Sequence, residues 1–532
     1  MEARMKSLGA MLVFLLASAA QSQHYDVLIR NGKIIDGSAN PWYEADVAIQ
    51  NGKIVAIGNL AHAQAAKVID AQRQVVAPGF IDVHTHIEER IIELPQAENF
   101  IYDGVTTLIT GNCGSSQLNL EAFFQQLENI GISPNIGTLA GHNSIRWAVM
   151  RLARRDPTPQ EQAKMEAIME KMMQQGALGL SSGLIYIPGA YAKTEEIIGL
   201  AKVAARYGGI YATHMRNEAD SVMAAISETL EIARQAKIPV QISHFKASGY
   251  SNWGRSREMI AAIERARAEG IDVTLDQYPY PASSTNLGVL LPAWALADGD
   301  SAVRARLTDP KIRAKIISEI ERNMAWRSAS GRMDYAYVAR YKADTTYQGL
   351  NISQITKKRL GKTRTKLRHE IETVIEMMLN GGAQMVYHSM SEEDVSRIMA
   401  SPLTMIASDA GVYYFGKDVP HPRGYGSNAR VLGRYVREKK LIRLEEAIRK
   451  MTSMPAQRFG ITDRGLIRPG YWADIVIFNP QTIIDRATFE KPHAYSQGIS
   501  HVLVNGVVVV ENGEHTGARP GKVIRGNGYR AQ

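Results

Sequence analysis

The sequence predicts an α/β protein: a TIM-like (β/α)8 barrel, a small β-sandwich built from both chain ends, and a subdomain inserted late in the barrel. Three observations predict it. Through the middle of the chain, short apolar runs ending in polar or glycine residues alternate with longer helix-like stretches. Both ends read as short strands broken by glycine and asparagine turns. The polar, charge-rich interval from Pro281 to about Glu370 exceeds what one barrel connection needs. At 532 residues, the chain has room for a barrel of roughly 250 residues and these additions.

The N-terminal strands come first. Residues 24 to 72 contain YDVLIRNGKIIDG, ADVAIQNGKIVAIG and AKVIDAQRQVVAPG, with Asn31-Gly32 and Asn51-Gly52 as hairpin signals. GLIRPGYWADIVIFNP and HVLVNGVVVVENGEHTG repeat the style near the other end, so one discontinuous domain is the simpler reading. The expected layout is a leader at 1–22, a sandwich of 23–75 and 460–532, and a barrel of 76–459 with its insertion at about 285–365. Eight barrel strands are expected to end in GFIDVHTH, TTLITGNCG, NIGTLAGH, LGLSSG, IYATHM, VQISHF, DVTLDQY and MIASD. Helical stretches such as SVMAAISETLEIARQAK fit between them.

The leader is read from Arg4 and Lys6, which precede an apolar run from Leu8 to Ala20 that ends in small residues. Cleavage is expected near Ala20, giving an exported protein, periplasmic or secreted, with no stable membrane insertion afterwards. The alternative is an uncleaved anchor, for which the run is short. The lone cysteine, Cys113, leaves such a protein no internal disulfide, so its thiol asks for another role. A net charge of +9, spread along the chain, reads as a mild preference for anionic small molecules. With no RNP-like, helix-turn-helix or zinc-finger pattern, no nucleic-acid partner is expected. The oligomeric state is left open.

The chemistry sits at strand ends. His84 and His86 are two residues apart on an extended strand, so both imidazoles point to one face and can reach one ion. An HxH pair alone is equally compatible with structural histidines, but the run after Gly79 places this one where barrel sites lie. His214 and His244 close two further strands about thirty residues apart, the length of one β/α unit. Asp409 follows the buried run MIASD, where a carboxylate needs a partner; a helix cap would serve as well as a metal. Cys113 stands in TGNCG, where glycines permit close backbone approach; a thiolate there would ligate zinc, while a buried inert thiol is the alternative.

Taken together, HTH, GVTTLITGNCG, AGHNSIR, GALGLSSGLIYIPG, THMRNE, SHFK, DQYPYPASST, IASD and HPRGYG give the chain a resemblance to the N-acyl-D-amino-acid deacylase (D-aminoacylase) family of the metal-dependent amidohydrolases. The resemblance implies a metal site of His84, His86, Cys113, His214, His244 and Asp409, loaded with one or two zinc ions. Cys113 then takes the place of the carboxylated lysine of related hydantoinases, since no lysine ends GTLAGH or LGLSSG. It also implies that Asp409 is the catalytic proton carrier. Lys246, Tyr278, Ser284 and Arg423 match the residues that hold the carboxylate of a small-molecule substrate. Two departures bear on specificity: the family's SHHK appears as Ser243-His244-Phe245-Lys246, and the loop from Asp409 to Arg423 is longer and more aromatic. The expected activity is hydrolysis of N-acyl-D-amino acids to a carboxylate and a D-amino acid. The alternatives are the same chemistry on a dipeptide, an L-amide or an aromatic amide, and, further off, a catalytically silent binding protein.

Overall fold

The structure is a computed structural model that describes residues 24–530; the leader expected at 1–22 lies outside the described residues. Eight parallel strands form the barrel, which we number β1 (Phe80–Asp82), β2 (Val105–Thr110), β3 (Asn135–Thr138), β4 (Gly179–Gly183), β5 (Ile210–His214), β6 (Val240–Ile242), β7 (Val273–Gln277) and β8 (Thr404–Ile406). Adjacent strands pair in register around the ring, with Ala140–Gly141 continuing β3 onto β4. The ring closes where Asp409 N–H donates to the His84 carbonyl at 2.9 Å and His86 N–H to Ala410 at 2.8 Å.

These strands form because their residues suit a ladder buried on both faces. In β2, VTTLIT, every residue is buried. Ile81, Val83, Ile109, Leu139, Leu178, Ile210 and Met405 from the strands pack in one buried apolar cluster with Met454, Phe459 and Ile461. Helices cover the outside. Pro159–Gln174 begins at a Thr158/Glu161 capping box and buries Met165, Met169, Met172 and Met173, the spacing that puts one stripe against the barrel.

Both chain ends enter a single nine-stranded sheet. His24–Ile34 lies antiparallel to Tyr43–Gln50 on one side and parallel to Gln64–Asp70 and Val75–Pro78 on the other. Ile475–Phe478 pairs antiparallel with Val75–Pro78 and joins the C-terminal strands Ile499–Val504 and Val507–Glu511 to the sheet. Val27, Ile29, Val47, Ile475 and Leu503 fill its core. Beyond Gly517 the chain leaves this sheet and returns to the barrel, where Ile524 N–H donates to Ile136 at 2.8 Å.

The insertion after β7 is longer than the sequence rhythm indicates. Its three-stranded sheet, Ser283–Asn286, Gln384–Tyr387 and Ala336–Arg340, carries it to Tyr387, past the 365 expected. The reason is packing: the helix Leu367–Leu379 turns its face of Ile371, Val374 and Ile375 to the insertion's own core. Among the described residues, no helix is long and apolar enough to cross a membrane.

Candidate active site

The carboxyl ends of the barrel strands open into a cavity of about 1200 Å³, roofed on one side by the insertion. At its floor the structure brings together all six residues expected to bind metal. Cys113 Sγ lies 3.3 Å from His84 Nε2, 3.6 Å from His214 Nδ1 and 3.7 Å from His244 Nε2. Three triads, His84/His86/Cys113, Cys113/His214/His244 and His84/His244/Asp409, each have ligand atoms within 4.8 Å of one another. Cys113 belongs to two of them, so the thiol is the pivot between two adjoining positions.

Local backbone puts these side chains there. Cys113, His244 and Asp409 all have positive φ, at 52°, 36° and 52°. That region is uncommon for any residue but glycine, and the surrounding structure must hold it. Around Cys113 the glycines have a steric purpose. A Cβ on Gly111 would come within 2.2 Å of the Leu139 carbonyl, and one on Gly114 within 2.2 Å of Asn143 Oδ1.

The electrostatics favour anionic sulfur. Burial alone would raise the Cys113 thiol, but the charge of His84 and hydrogen bonds from His214, His244 and His84 bring it well below its ordinary value. Burial likewise works against ionising Asp409, and Arg423, His84 and His86 outweigh it, holding the carboxyl well below the usual range. Asp409 Oδ1 is 3.2 Å from His86 Nε2 and 3.6 Å from His84 Nε2, while Oδ2 is 2.9 Å from the Arg423 guanidinium. Asp409 thus joins the donor cluster to the cation beside it.

Of the four residues expected to hold a carboxylate, Arg423 is the one with open donors. It is buried, its Nε has no hydrogen-bond partner, and its guanidinium lies 4.6 Å from the Tyr278 ring centroid. Lys246 Nζ is engaged with Glu218 at 2.7 Å and donates to the His244 carbonyl at 2.8 Å. The Ser284 hydroxyl donates to the Met385 carbonyl at 2.8 Å, and the Tyr278 hydroxyl faces the Met390 sulfur at 3.7 Å. All four line the cavity, but three have their polar groups turned to protein partners.

Several functional residues escaped sequence reasoning. Glu218 stands 2.8 Å from His244 Nδ1, which the Lys246 ammonium also meets at 2.8 Å, and 3.6 Å from His214 Nε2, so one carboxylate faces the outer nitrogens of two ligand histidines. Asp276 lies 3.5 Å from His84 Nδ1. His421 donates from Nε2 to the Ala282 carbonyl at 2.9 Å and accepts the Arg423 backbone N–H on Nδ1 at 3.0 Å, fixing its tautomer and the start of the Arg423 helix. Asn99 donates to the carbonyls of Gly411 (3.1 Å) and Gly424 (2.8 Å), tying together the backbones beside Asp409 and Arg423. The signal for Glu218 was in THMRNE, where a carboxylate follows a ligand histidine by four residues; nothing local marked Asn99.

A barrel with histidine, cysteine and aspartate donors at the carboxyl ends of its strands defines the class: a metal-dependent hydrolase. The comparisons agree. The amidohydrolase family matches residues 67–510, and the chain belongs to that family, in its N-acyl-D-amino-acid deacylase branch. It is 36% identical over 523 residues to the N-acyl-D-glutamate deacylase of Alcaligenes xylosoxydans xylosoxydans, covering 94% of this chain and 96% of that protein. With the D-aminoacylase of the same organism it shares 36% identity over 530 residues, covering 95% and 99%. The crystal structure of N-acyl-D-glutamate deacylase from Bordetella bronchiseptica, complexed with zinc and a phosphonate mimic of the tetrahedral intermediate, superposes with a TM-score of 0.80 at 35% identity, covering 94% and 100%.

Proposed function

We propose that this protein is a zinc-dependent hydrolase of N-acyl-D-amino acids, cleaving the amide to a carboxylate and a D-amino acid. The observation that carries the reading is the position of Asp409, which touches the donor cluster through Oδ1 and the cation Arg423 through Oδ2. The names of the relatives, N-acyl-D-glutamate deacylase and D-aminoacylase, support it, as does the zinc and phosphonate in the Bordetella enzyme.

The residues present fit zinc. A thiolate and neutral imidazoles are the donor set that metal prefers, and Cys113, His214 and His244 would hold it, with His84 and His86 completing a second position through Cys113. When bound, zinc polarises the acyl carbonyl and acidifies a water. The protein supplies the rest. Arg423 pairs with the substrate carboxylate and, with the carbonyl held at the opposite end, leaves the side chain of the chiral centre one direction to take. Asp409, ionised at neutral pH, accepts the water's proton and returns it to the leaving amine, which cannot depart unprotonated.

The test is an N-acetyl amino-acid panel in both enantiomers, assayed beside metal content. The D-isomers are expected to be hydrolysed, the L-isomers far more slowly, and a strong chelator to abolish the rate until zinc is returned. Full activity after verified metal removal, or equal rates on the two enantiomers, would overturn the reading.

Glu218 gives a second test. Because a carboxylate on the outer nitrogen of a ligand histidine fixes its tautomer and raises its basicity, Glu218→Gln should weaken zinc binding about 10- to 100-fold. Competition with a chelator of known affinity measures it. Unchanged affinity would make Glu218 only the partner of Lys246.

A further inference from the structure

The carboxylate anchor occupies one side of the barrel mouth, since Tyr278 follows β7 and Arg423 follows β8, beside Asp409. The two substituents of an amide carbonyl diverge. With the nitrogen side drawn toward Arg423, the acyl group must leave across the barrel, over the loops after β2, β3 and β4. That wall sets apolar side chains among polar ones such as Ser116 and Gln117. Leu118, Trp147, Ile185 and Ile187 line the same cavity as Cys113 and Asp409. Trp147 is 47% exposed and Ile185 39%. Single exposed apolar side chains are ordinary, but two on one wall of an active-site cavity point to a ligand.

The wall is continuous with the chemistry. Asn143 lies against Gly114, next to Cys113, and donates to the carbonyls of Gly183 (3.0 Å) and Tyr186 (3.3 Å). Trp147 follows Asn143 by four residues on helix His142–Met150, so it stands on the same face, about 6 Å farther along the axis. The Arg151 guanidinium lies 4.0 Å from the centroid of the indole and steadies it. The cavity, about 1200 Å³, also exceeds the roughly 300 to 1,000 Å³ usual for a drug-sized ligand.

We infer that the acyl subsite is built for an extended aliphatic acyl chain, with Trp147 and Ile185 as its outer wall. The inference rests on the reading of the protein as an N-acyl-D-amino-acid hydrolase and names its acyl class. The reaction is unchanged: water adds its oxygen to the acyl carbon, the C–N bond breaks, and the amine leaves with a proton, so the products are a fatty acid and a D-amino acid.

The experiment compares kcat/KM for the N-acetyl, N-octanoyl and N-phenylacetyl derivatives of one D-amino acid on wild type, Trp147→Ser and Trp147→Phe. Each methylene moved from water to an apolar wall is worth about fourfold, so two of the added methylenes give the octanoyl substrate at least about a tenfold advantage over acetyl. Trp147→Ser should erase that advantage and leave acetyl turnover unchanged; Trp147→Phe should keep most of it. An octanoyl derivative no better than acetyl, or equal losses on both in Trp147→Ser, overturns the inference and leaves the parent reading standing. A phenylacetyl substrate faster than octanoyl overturns the aliphatic chain in favour of a compact aromatic group. If no member of the series is hydrolysed, the parent reading falls and this one with it.

Discussion

Replacing Cys113 with alanine is expected to lower bound zinc and turnover together, by orders of magnitude. Its sulfur lies within 3.7 Å of a nitrogen on each of three histidines and is common to two of the three donor triads, so its loss leaves both with two donors. It also removes the negative charge that a divalent ion finds in this cluster of imidazoles. Backbone strain does not confuse the result, because alanine at φ 52° is no worse placed than cysteine. An inert buried thiol would give a different outcome, with normal metal content and the roughly 0.5 to 3 kcal/mol destabilisation common for point mutants. Zinc per chain, measured beside a thermal melt, separates the two. Normal zinc and normal kcat would return Cys113 to the core.

The sequence made the ring of strands legible because each barrel strand ends an apolar run at a polar or glycine residue, and a side chain at that point faces the cavity. His84, His214, His244 and Asp409 were visible for the same reason. What could not be seen is conformation and distance. Positive φ at Cys113, His244 and Asp409 has no local signature in residues that seldom adopt it. Glu218 and Asp276 look like ordinary loop and strand-end acids until the fold brings the first to His244 and the second to His84. Asn99 is more than 300 residues from the carbonyls it joins. The anchor set was legible as a motif, but only the structure shows that Lys246 and Ser284 spend their polar groups on protein partners, while Arg423, ion-paired with Asp409, keeps an Nε without a hydrogen bond. Nothing in the sequence rhythm could say that the apolar face of the helix Leu367–Leu379 serves the insertion and not the barrel.

Asp409→Asn should retain zinc and lose nearly all turnover. The Cys113/His214/His244 triad does not include Asp409, so metal content should stay close to wild type. The amide side chain can hydrogen-bond to His86 but cannot take or return a proton at neutral pH. General acid–base catalysis typically contributes 10²- to 10⁴-fold, and a loss of that size in kcat is expected. Arg423 makes the prediction sharper. In the free protein its guanidinium, 2.9 Å from Asp409 Oδ2, is a leading reason that carboxyl sits so low, and a strongly stabilised carboxylate is a weak base. A substrate carboxylate drawn to Arg423 shares that positive charge, so Asp409 becomes more basic when a correct substrate is bound. A substrate whose carboxylate is replaced by a neutral amide leaves Arg423 on Asp409 and should be turned over slowly by wild type. In Asp409→Asn there is no basicity to restore, so part of the preference for the acid over its amide should disappear along with the rate. Measuring kcat and KM for the acid and its amide on both proteins, with zinc content recorded for each, tests this coupling. A residual kcat within tenfold of wild type would mean that another group carries the proton, and an undiminished preference for the acid would mean that Arg423 acts on binding alone.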